Sequence, residues 1–200
     1  MTDDRPGPLR RDEALALWRA YFAHQGLPLE EEPAVERFGD SRALADELIG
    51  LVLAGTKRAT AGLVADFAVE GEPLPRIGGH WVPCDGDGVP RCVLRSTELR
   101  LGPLTSVDDA FAWDEGEGDR SRDGWLTSHL AYFRRTQAAR GEAWSNDLEV
   151  VFERFRVVWP PEVADQLNGS GRWAPAHPAP PAAAAPPAWR RCPPPCAGPR

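Results

Sequence analysis

Two short polar segments of the 200-residue chain contain the side chains best suited to chemistry, and the first is GTKRAT at positions 55–60. A lysine in a partly apolar pocket loses its proton more readily, and it could then activate a threonine hydroxyl, which is otherwise a poor nucleophile. Lys57 and Thr60 would face opposite sides of a regular strand, but a turn that leads into a strand would let them converge. The alternative is a solvated lysine after a helix C-terminus, beside a threonine that favours β structure.

The second segment is FAWDEGEGDRS at positions 111–121, where four carboxylates crowd an interval that contains two glycines. Carboxylates this close raise at least one pKa when they are shielded from water, and glycines let the backbone approach a ligand. This pattern is typical of an acid–base or ligand-binding site. The alternative is an exposed acidic loop in which Asp119 or Ser121 caps the next helix. A cap and a site are compatible.

Histidine and cysteine residues give weaker signals. His129 shares an apolar helical stripe with Trp125 and Phe133, and a histidine in that position is more often a core or rim residue than a catalyst. The spacing of His80, Cys84 and Cys92 matches no common zinc site, and the CPPPC element near the C-terminus lacks the other ligands of such a site. The sequence therefore predicts no metal site and two reduced thiols.

The spacing of apolar residues predicts the helices and strands that must position these side chains. Residues 12–25 predict an amphipathic helix, and a second helix is predicted to start at a Ser41 cap and to end at Gly55. Between residues 59 and 159 the segments HWVPC, RCVLRSTELRL and LEVVFERFRVVW predict strands, and residues 121–140 predict one more helix. Together these elements predict an α+β fold built on a small β-barrel with flanking helices and an N-terminal helical segment.

Composition limits the class of protein. The length suits one domain with tails, and we expect a flexible N-terminus over 1–11, a domain over 12–160 and a Pro/Ala-rich tail over 161–200 that is disordered from about Gln166. A formal net charge of −7 argues against a protein that coats long nucleic acid, although a pocket for one nucleotide or nucleoside fits. No secretory signal or membrane span is recognisable, so we expect a cytoplasmic protein without a membrane partner.

Taken together, GTKRAT and FAWDEGEGDRSRDGW with its downstream HLAYF resemble the YhfF-like branch of the ASCH family. The resemblance covers residues 12–159 and implies a PUA-like β-barrel with helices that flank a cleft. ASCH proteins have been proposed as RNA-binding modules by analogy with PUA domains. Members of the family include amidohydrolases for N4-acetylcytidine and metal-stimulated ribonucleases.

In those amidohydrolases a G-x-K-x-x-T motif supplies a lysine and a threonine, and a glutamate from a later acidic segment completes the site. The resemblance therefore implies Lys57, Thr60 and Glu117 as catalytic residues, with Glu115 as the alternative acid. Five neighbours are predicted to bind the substrate: Arg58, Glu115, Asp119, Ser121 and His129.

The resulting hypothesis is a hydrolase that acts on RNA or a modified nucleoside. In the amidohydrolase form Thr60 attacks the acyl carbon and Lys57 accepts its proton. In the ribonuclease form the lysine steadies the phosphate, and the carboxylates act as base or bind a divalent cation, which is the only cofactor this hypothesis would need. The alternative is a non-catalytic module that holds RNA or a nucleotide in the same cleft. The sequence does not determine the oligomeric state.

Overall fold

The computed structural model describes residues 4–166. This part of the chain forms five α-helices and five strands, with one 3₁₀ turn at Leu104–Ser106. The predicted mixed α+β fold is confirmed. The elements are α1 (Arg11–Gln25), β1 (Ala34–Arg37), α2 (Arg42–Leu53), β2 (Ala59–Leu63), α3 (Val64–Glu70), β3 (His80–Cys84), β4 (Val93–Pro103), α4 (Asp109–Glu115), α5 (Arg122–Ala139) and β5 (Glu149–Trp159).

The strands form a single sheet in the order β1-β3-β4-β5-β2. The β1–β3 pair is parallel and the other pairs are antiparallel. The long strands β4 and β5 form the centre of the sheet, and two register shifts in their ladder mark β-bulges, which bend a strand and increase its twist. The edge strands β1 and β2 line a common cavity, and within the described residues no ladder joins them across it.

Successive side chains of β5 point to opposite faces of the sheet, and helices pack against both faces. Phe152 packs with Phe111 of α4 and Trp125 of α5 on one face. Phe155 packs on the other face in the cluster that contains Ile49 of α2. The α1 stripe Ala14, Trp18, Tyr21 and Phe22 is buried in a third cluster with residues of β1, β3 and β4.

Helix ends follow the predicted signals closely. The Ser41 hydroxyl accepts a hydrogen bond from the Leu44 amide at the start of α2, and Ser121 does the same for Gly124 at the start of α5. Gly55 adopts φ +83° just after α2, a left-handed conformation that glycine reaches at no steric cost. Three short elements, β1, α3 and α4, were not predicted, because four to seven residues are too few to show a clear period.

At both ends of the predicted domain, residues expected to lie outside it make hydrogen bonds with it. Residues 4–10, expected to be flexible, hydrogen-bond with the 86–88 turn through Gly7 and Arg10. Residues 161–166, assigned to the tail, include Asp165, which accepts hydrogen bonds from the Arg58 guanidinium and the Val157 amide. The remainder of the Pro/Ala-rich tail, including its CPPPC element, lies outside the described residues.

Candidate functional site

Lys57 lies in the turn between α2 and β2, and its side chain is only 1% exposed. The turn is closed by the Thr56 and Lys57 amides, which both donate to the Leu51 carbonyl at the end of α2. The ammonium Nζ lies 2.5 Å from Oε1 of Glu117 and 3.3 Å from Oε1 of Glu115. The predicted lysine and both candidate acids therefore meet, although 58 and 60 residues separate them in the chain.

A tight approach between the two polar segments produces this meeting. The Arg58 amide donates to the Asp114 carbonyl at 2.7 Å, and Gly116, at φ +75°, ends α4 directly against Thr56. A Cβ atom at position 116 would overlap the Thr56 carbonyl oxygen. The first glycine of the acidic segment therefore lets one protein segment approach another, whereas the sequence analysis expected it to admit a ligand.

Glu115 is the buried centre of the cluster, with an exposed fraction of 1%. Its Oε1 faces Lys57 and lies 3.4 Å from His129 Nε2, and its Oε2 accepts a hydrogen bond from Trp125 Nε1. The α5 spacing of Trp125 and His129 stacks their rings with centroids 3.8 Å apart. Glu115 is thus fully engaged by protein groups.

The protonation states of this cluster follow from its contacts. His129 Nδ1 lies 3.1 Å from the Trp125 carbonyl and Nε2 faces a carboxylate, so both nitrogens face groups that only accept hydrogen bonds. Burial lowers the pKa of His129, but the charge and hydrogen bond of Glu115 outweigh it and the pKa is raised. His129 is therefore an imidazolium in this arrangement.

Lys57 is held in its charged form as well. Burial alone lowers its pKa, yet the carboxylates of Glu115 and Glu117 raise the pKa above its ordinary value. Burial in turn raises the pKa of Glu115, but the charges of Lys57 and His129 and two hydrogen bonds lower it to about 2. The four side chains form a balanced set of two cations and two anions. The expectation of a lysine that is neutral near pH 7 does not fit this cluster.

The cluster borders a cavity of about 940 Å³. Glu115, Glu117 and His129 reach the cavity wall, whereas Lys57 lies behind them and does not. Thr60 lines the same cavity from β2. Among the described residues no hydrogen bond joins Thr60 to Lys57, whose ammonium is bonded to the two glutamates.

The cavity wall is predominantly acidic. Only three arginines accompany its carboxylates, which are Glu30, Glu31, Glu32, Glu36, Asp66, Glu70, Glu72, Glu115, Glu117 and Glu153. Burial, with the charges of nearby carboxylates, raises the pKa of Glu36 to about 7. A wall with this charge favours an uncharged or cationic ligand over one that carries several phosphates.

Two acidic residues of the wall, Glu36 and Glu153, were missed by the sequence analysis. Glu153 is 6% exposed and its Oε1 accepts hydrogen bonds from Ser96 Oγ at 2.5 Å and Trp81 Nε1 at 3.2 Å. Burial raises its pKa, and these two hydrogen bonds partly oppose the shift. A glutamate inside an otherwise apolar strand pattern, such as VVFERF, was the available signal.

Three of the predicted substrate-binding residues make contacts within the protein, and their role toward a substrate stays a prediction. The Arg58 guanidinium pairs with Asp165 and the Val52 carbonyl, and it does not line the cavity. Asp119 accepts hydrogen bonds from the amide and hydroxyl of Ser121, which lower the pKa of Asp119, and Ser121 caps α5. The capping interpretation of these two residues accounts for their contacts.

Within residues 4–166, no group of three or more His, Cys, Asp or Glu side chains is arranged to share a metal ion. Cys84 and Cys92 are buried free thiols, and burial raises their pKa values to about 11 and about 12. In the same part of the chain, no helix has both the length and the hydropathy needed to cross a bilayer.

The fold and the charged cluster define a mixed α+β domain with a cavity between its sheet edges. The chain belongs to the ASCH domain family, whose family model matches residues 34–159. The chain is similar to the crystal structure of an ASCH domain from Lactobacillus crispatus, with a TM-score of 0.65, 26% identity and coverage of 74% of this chain and 96% of that one.

A second similar structure is that of a protein from Enterococcus faecalis, with a TM-score of 0.66 and 27% identity over 73% of this chain and 88% of that one. A comparison with curated protein sequences finds no significant match. The predicted family is thereby confirmed, while the assignment to its YhfF-like branch stays a prediction.

Proposed function

We propose that the protein is a hydrolase that removes an acyl group from a modified nucleoside, with Thr60 as the nucleophile. The observation that carries the proposal is that Glu115, Glu117 and His129, with Lys57 bonded behind them, line the same cavity as Thr60. A volume of about 940 Å³ is ample for a nucleoside. The resemblance of GTKRAT to the motif of the N4-acetylcytidine amidohydrolases supplies the reaction class.

The charge of the cavity wall bears on the substrate. Its many carboxylates would repel the phosphates of a polynucleotide, whereas an uncharged nucleoside would not be repelled. The free nucleoside is therefore favoured over RNA as the substrate. A ribonuclease would need a divalent cation on the same carboxylates to offset their charge.

In this proposal Lys57 is a positioning residue. Its ammonium holds Glu115 and Glu117 together, and its pKa is raised, so it does not serve as the resting base. Glu117 has a side chain 27% exposed and can contact the scissile amide nitrogen. By accepting a hydrogen bond from the N–H of that amide, Glu117 would orient the leaving group.

The test is mass detection of cytidine formed from acetylcytidine, with a labelled RNA incubated in parallel with and without Mn²⁺. We expect deacetylation by the wild-type protein and a loss of at least about 100-fold in Thr60→Val. Thr97→Val is the matched control, because Thr97 lies on β4 with an exposed side chain. RNA cleavage that requires Mn²⁺ would instead support the ribonuclease, and nucleoside binding without turnover would support the binding module.

A further inference from the structure

The β2–β5 ladder places a buried carboxylate next to the proposed nucleophile. Thr60 and Glu153 are directly opposed in this antiparallel pair, so their side chains leave the same face of the sheet. Directly opposed residues have Cβ atoms only about 4.5–5.5 Å apart, within reach of a glutamate side chain. Both residues line the cavity.

Glu153 is held in one orientation by the protein. Ser96 Oγ and Trp81 Nε1 both donate to Oε1, and Oε2 accepts no hydrogen bond from the described residues. Because the side chain is 6% exposed, little water competes for that second oxygen. A buried carboxylate with one fixed and one unengaged oxygen is suited to accept a proton from a hydroxyl beside it.

The other titratable groups of the cluster are less suited to this task. Lys57 is charged and lies behind the cavity wall, and both oxygens of Glu115 are engaged. His129 has both nitrogens committed to the Trp125 carbonyl and Glu115. Glu117 faces the same cavity, but its Oε1 already accepts a hydrogen bond from Lys57.

We propose that Glu153 is the general base that takes the proton from the Thr60 hydroxyl, a role that rests on the proposed hydrolase function. As the Thr60 oxygen bonds to the acyl carbon, its proton moves to Glu153 Oε2 and the carbonyl π pair moves to oxygen. The tetrahedral intermediate collapses when the C–N bond breaks, and protonated Glu153 returns the first proton to the departing amine. A water then attacks the acyl-threonine, passing a proton to Glu153, and Thr60 leaves with a proton as the carboxylic acid forms. Two protons accepted and two returned leave Glu153 unchanged.

The burial and hydrogen bonding of Glu153 support this role. Its pKa is raised by burial, which strengthens the carboxylate as a base. Glu36 lines the same cavity. The pKa of Glu36 is raised to about 7, mainly by burial, and the charge of Glu153 is a further cause. The two carboxyl groups are therefore electrostatically linked in one cavity, so a proton placed on either one lowers the cost of the charge on the other.

The decisive variant is Glu153→Gln, which preserves the side-chain volume and an oxygen that can accept from Ser96 and Trp81. We expect it to lower kcat for deacetylation by about 100- to 10,000-fold with an unchanged melting temperature. Glu98→Gln is the matched control, because Glu98 is a half-exposed glutamate that pairs with Arg154 and does not line the cavity. Added formate should increase the deacetylation rate of Glu153→Ala by at least about tenfold, and it should not rescue Thr60→Val.

The outcomes separate this inference from the proposed function. If the wild-type protein deacetylates the nucleoside, Thr60→Val is inactive and Glu153→Gln keeps a kcat within threefold of wild type, the base is not Glu153 and only this inference is overturned. Loss of activity in Glu153→Gln without formate rescue of Glu153→Ala would also overturn it, since the glutamate would then act through structure. A wild-type protein no faster than Thr60→Val would overturn both proposals.

Discussion

The four charged side chains at Lys57 are stable in the interior only as a set. An ion removed from water costs several kcal/mol, and here each buried charge is offset by one of opposite sign within about 3.5 Å. Glu115 is the member with the most partners, because Lys57, His129 and Trp125 all reach it. Its main role is therefore to hold the cluster together, which leaves the partly exposed Glu117 to meet a ligand.

This dependence predicts a strong coupling between Lys57 and Glu115. Lys57→Met leaves two carboxylates without their main cation and should lower the free energy of unfolding by about 3–5 kcal/mol. Adding Glu115→Gln removes the buried anion, so the double variant should be more stable than Lys57→Met alone. Urea unfolding of the wild type, both single variants and the double variant measures the coupling. A double variant as unstable as the sum of the single ones would show that the pair is not coupled.

The raised pKa of Glu36 predicts a specific pH dependence of stability. The ordinary value of 4.5 applies to the unfolded chain, and about 7 applies to the folded protein. Between these values the unfolded chain loses the proton first, so this group destabilises the folded state progressively as pH rises from about 4.5 to about 7. The penalty is absent at lower pH and complete above about 7.

Glu36→Gln removes that penalty. At pH 8 the variant should raise the free energy of unfolding by about 1–3 kcal/mol more than it does at pH 5. The measurement is urea unfolding of the variant and the wild type at both pH values, with Glu98→Gln as a control for loss of one negative charge. The same stability difference at pH 5 and pH 8 would contradict the prediction.

At the scale of elements, the site depends on how α4 ends against the turn after α2. Gly116 ends α4 at φ +75° in contact with Thr56, and Gly118 adopts φ +54° with no atom within 4 Å of a would-be Cβ. Both positions have left-handed backbone, so alanine is strained at each. Only position 116 combines that strain with a clash against the backbone of the neighbouring turn.

The two glycines therefore provide a matched pair of variants. Gly118→Ala should cost about 1 kcal/mol of unfolding free energy, the usual cost of the left-handed conformation. Gly116→Ala should cost clearly more, about 2–4 kcal/mol, because the Thr56 backbone must also move. It should also weaken nucleoside binding, since the movement separates Glu115 and Glu117 from Lys57. Thermal unfolding and titration calorimetry give the two readouts, and equal effects of both variants would contradict the proposed tight approach.

At the scale of the whole molecule, the question is where the folded domain ends. The Arg58 guanidinium donates two hydrogen bonds to Asp165 through Nε and one through Nη2, and the Val157 amide also donates to Asp165. Arg58 is largely buried, with 14% of its side chain exposed. Residues 161–166 thus complete the surroundings of a buried cation, whereas the Pro/Ala-rich composition beyond them offers little to bury.

Two truncations test this boundary. A chain that ends at Gln166 should melt within about 2 °C of the full-length protein. A chain that ends at Pro161 loses Asp165 and should melt roughly 5–10 °C lower, because breaking a buried ion pair costs a few kcal/mol. Asp165→Asn in the full chain should reproduce most of that loss. A large drop already at Gln166 would show that later residues stabilise the domain.

The sequence by itself determined the features that depend on near neighbours in the chain. The α1, α2 and α5 stripes, the Ser41 and Ser121 caps, and the long strands β4 and β5 follow from local periodicity and capping. The two polar motifs also identified the family and predicted that Lys57 would meet Glu115 or Glu117. Such patterns are readable because a helix or strand repeats within a few residues.

Only the tertiary structure decided the chemistry of the site. Two carboxylates about 60 residues away in the chain lie against the Lys57 ammonium and raise its pKa, and the protonation of a buried group depends on such neighbours. Glu153 stands beside Thr60 because of the strand register, which no local pattern specifies between two strands so far apart in the chain. Arg58, adjacent to Lys57 in sequence, pairs instead with Asp165, a partner 107 residues further along the chain that no local pattern indicates.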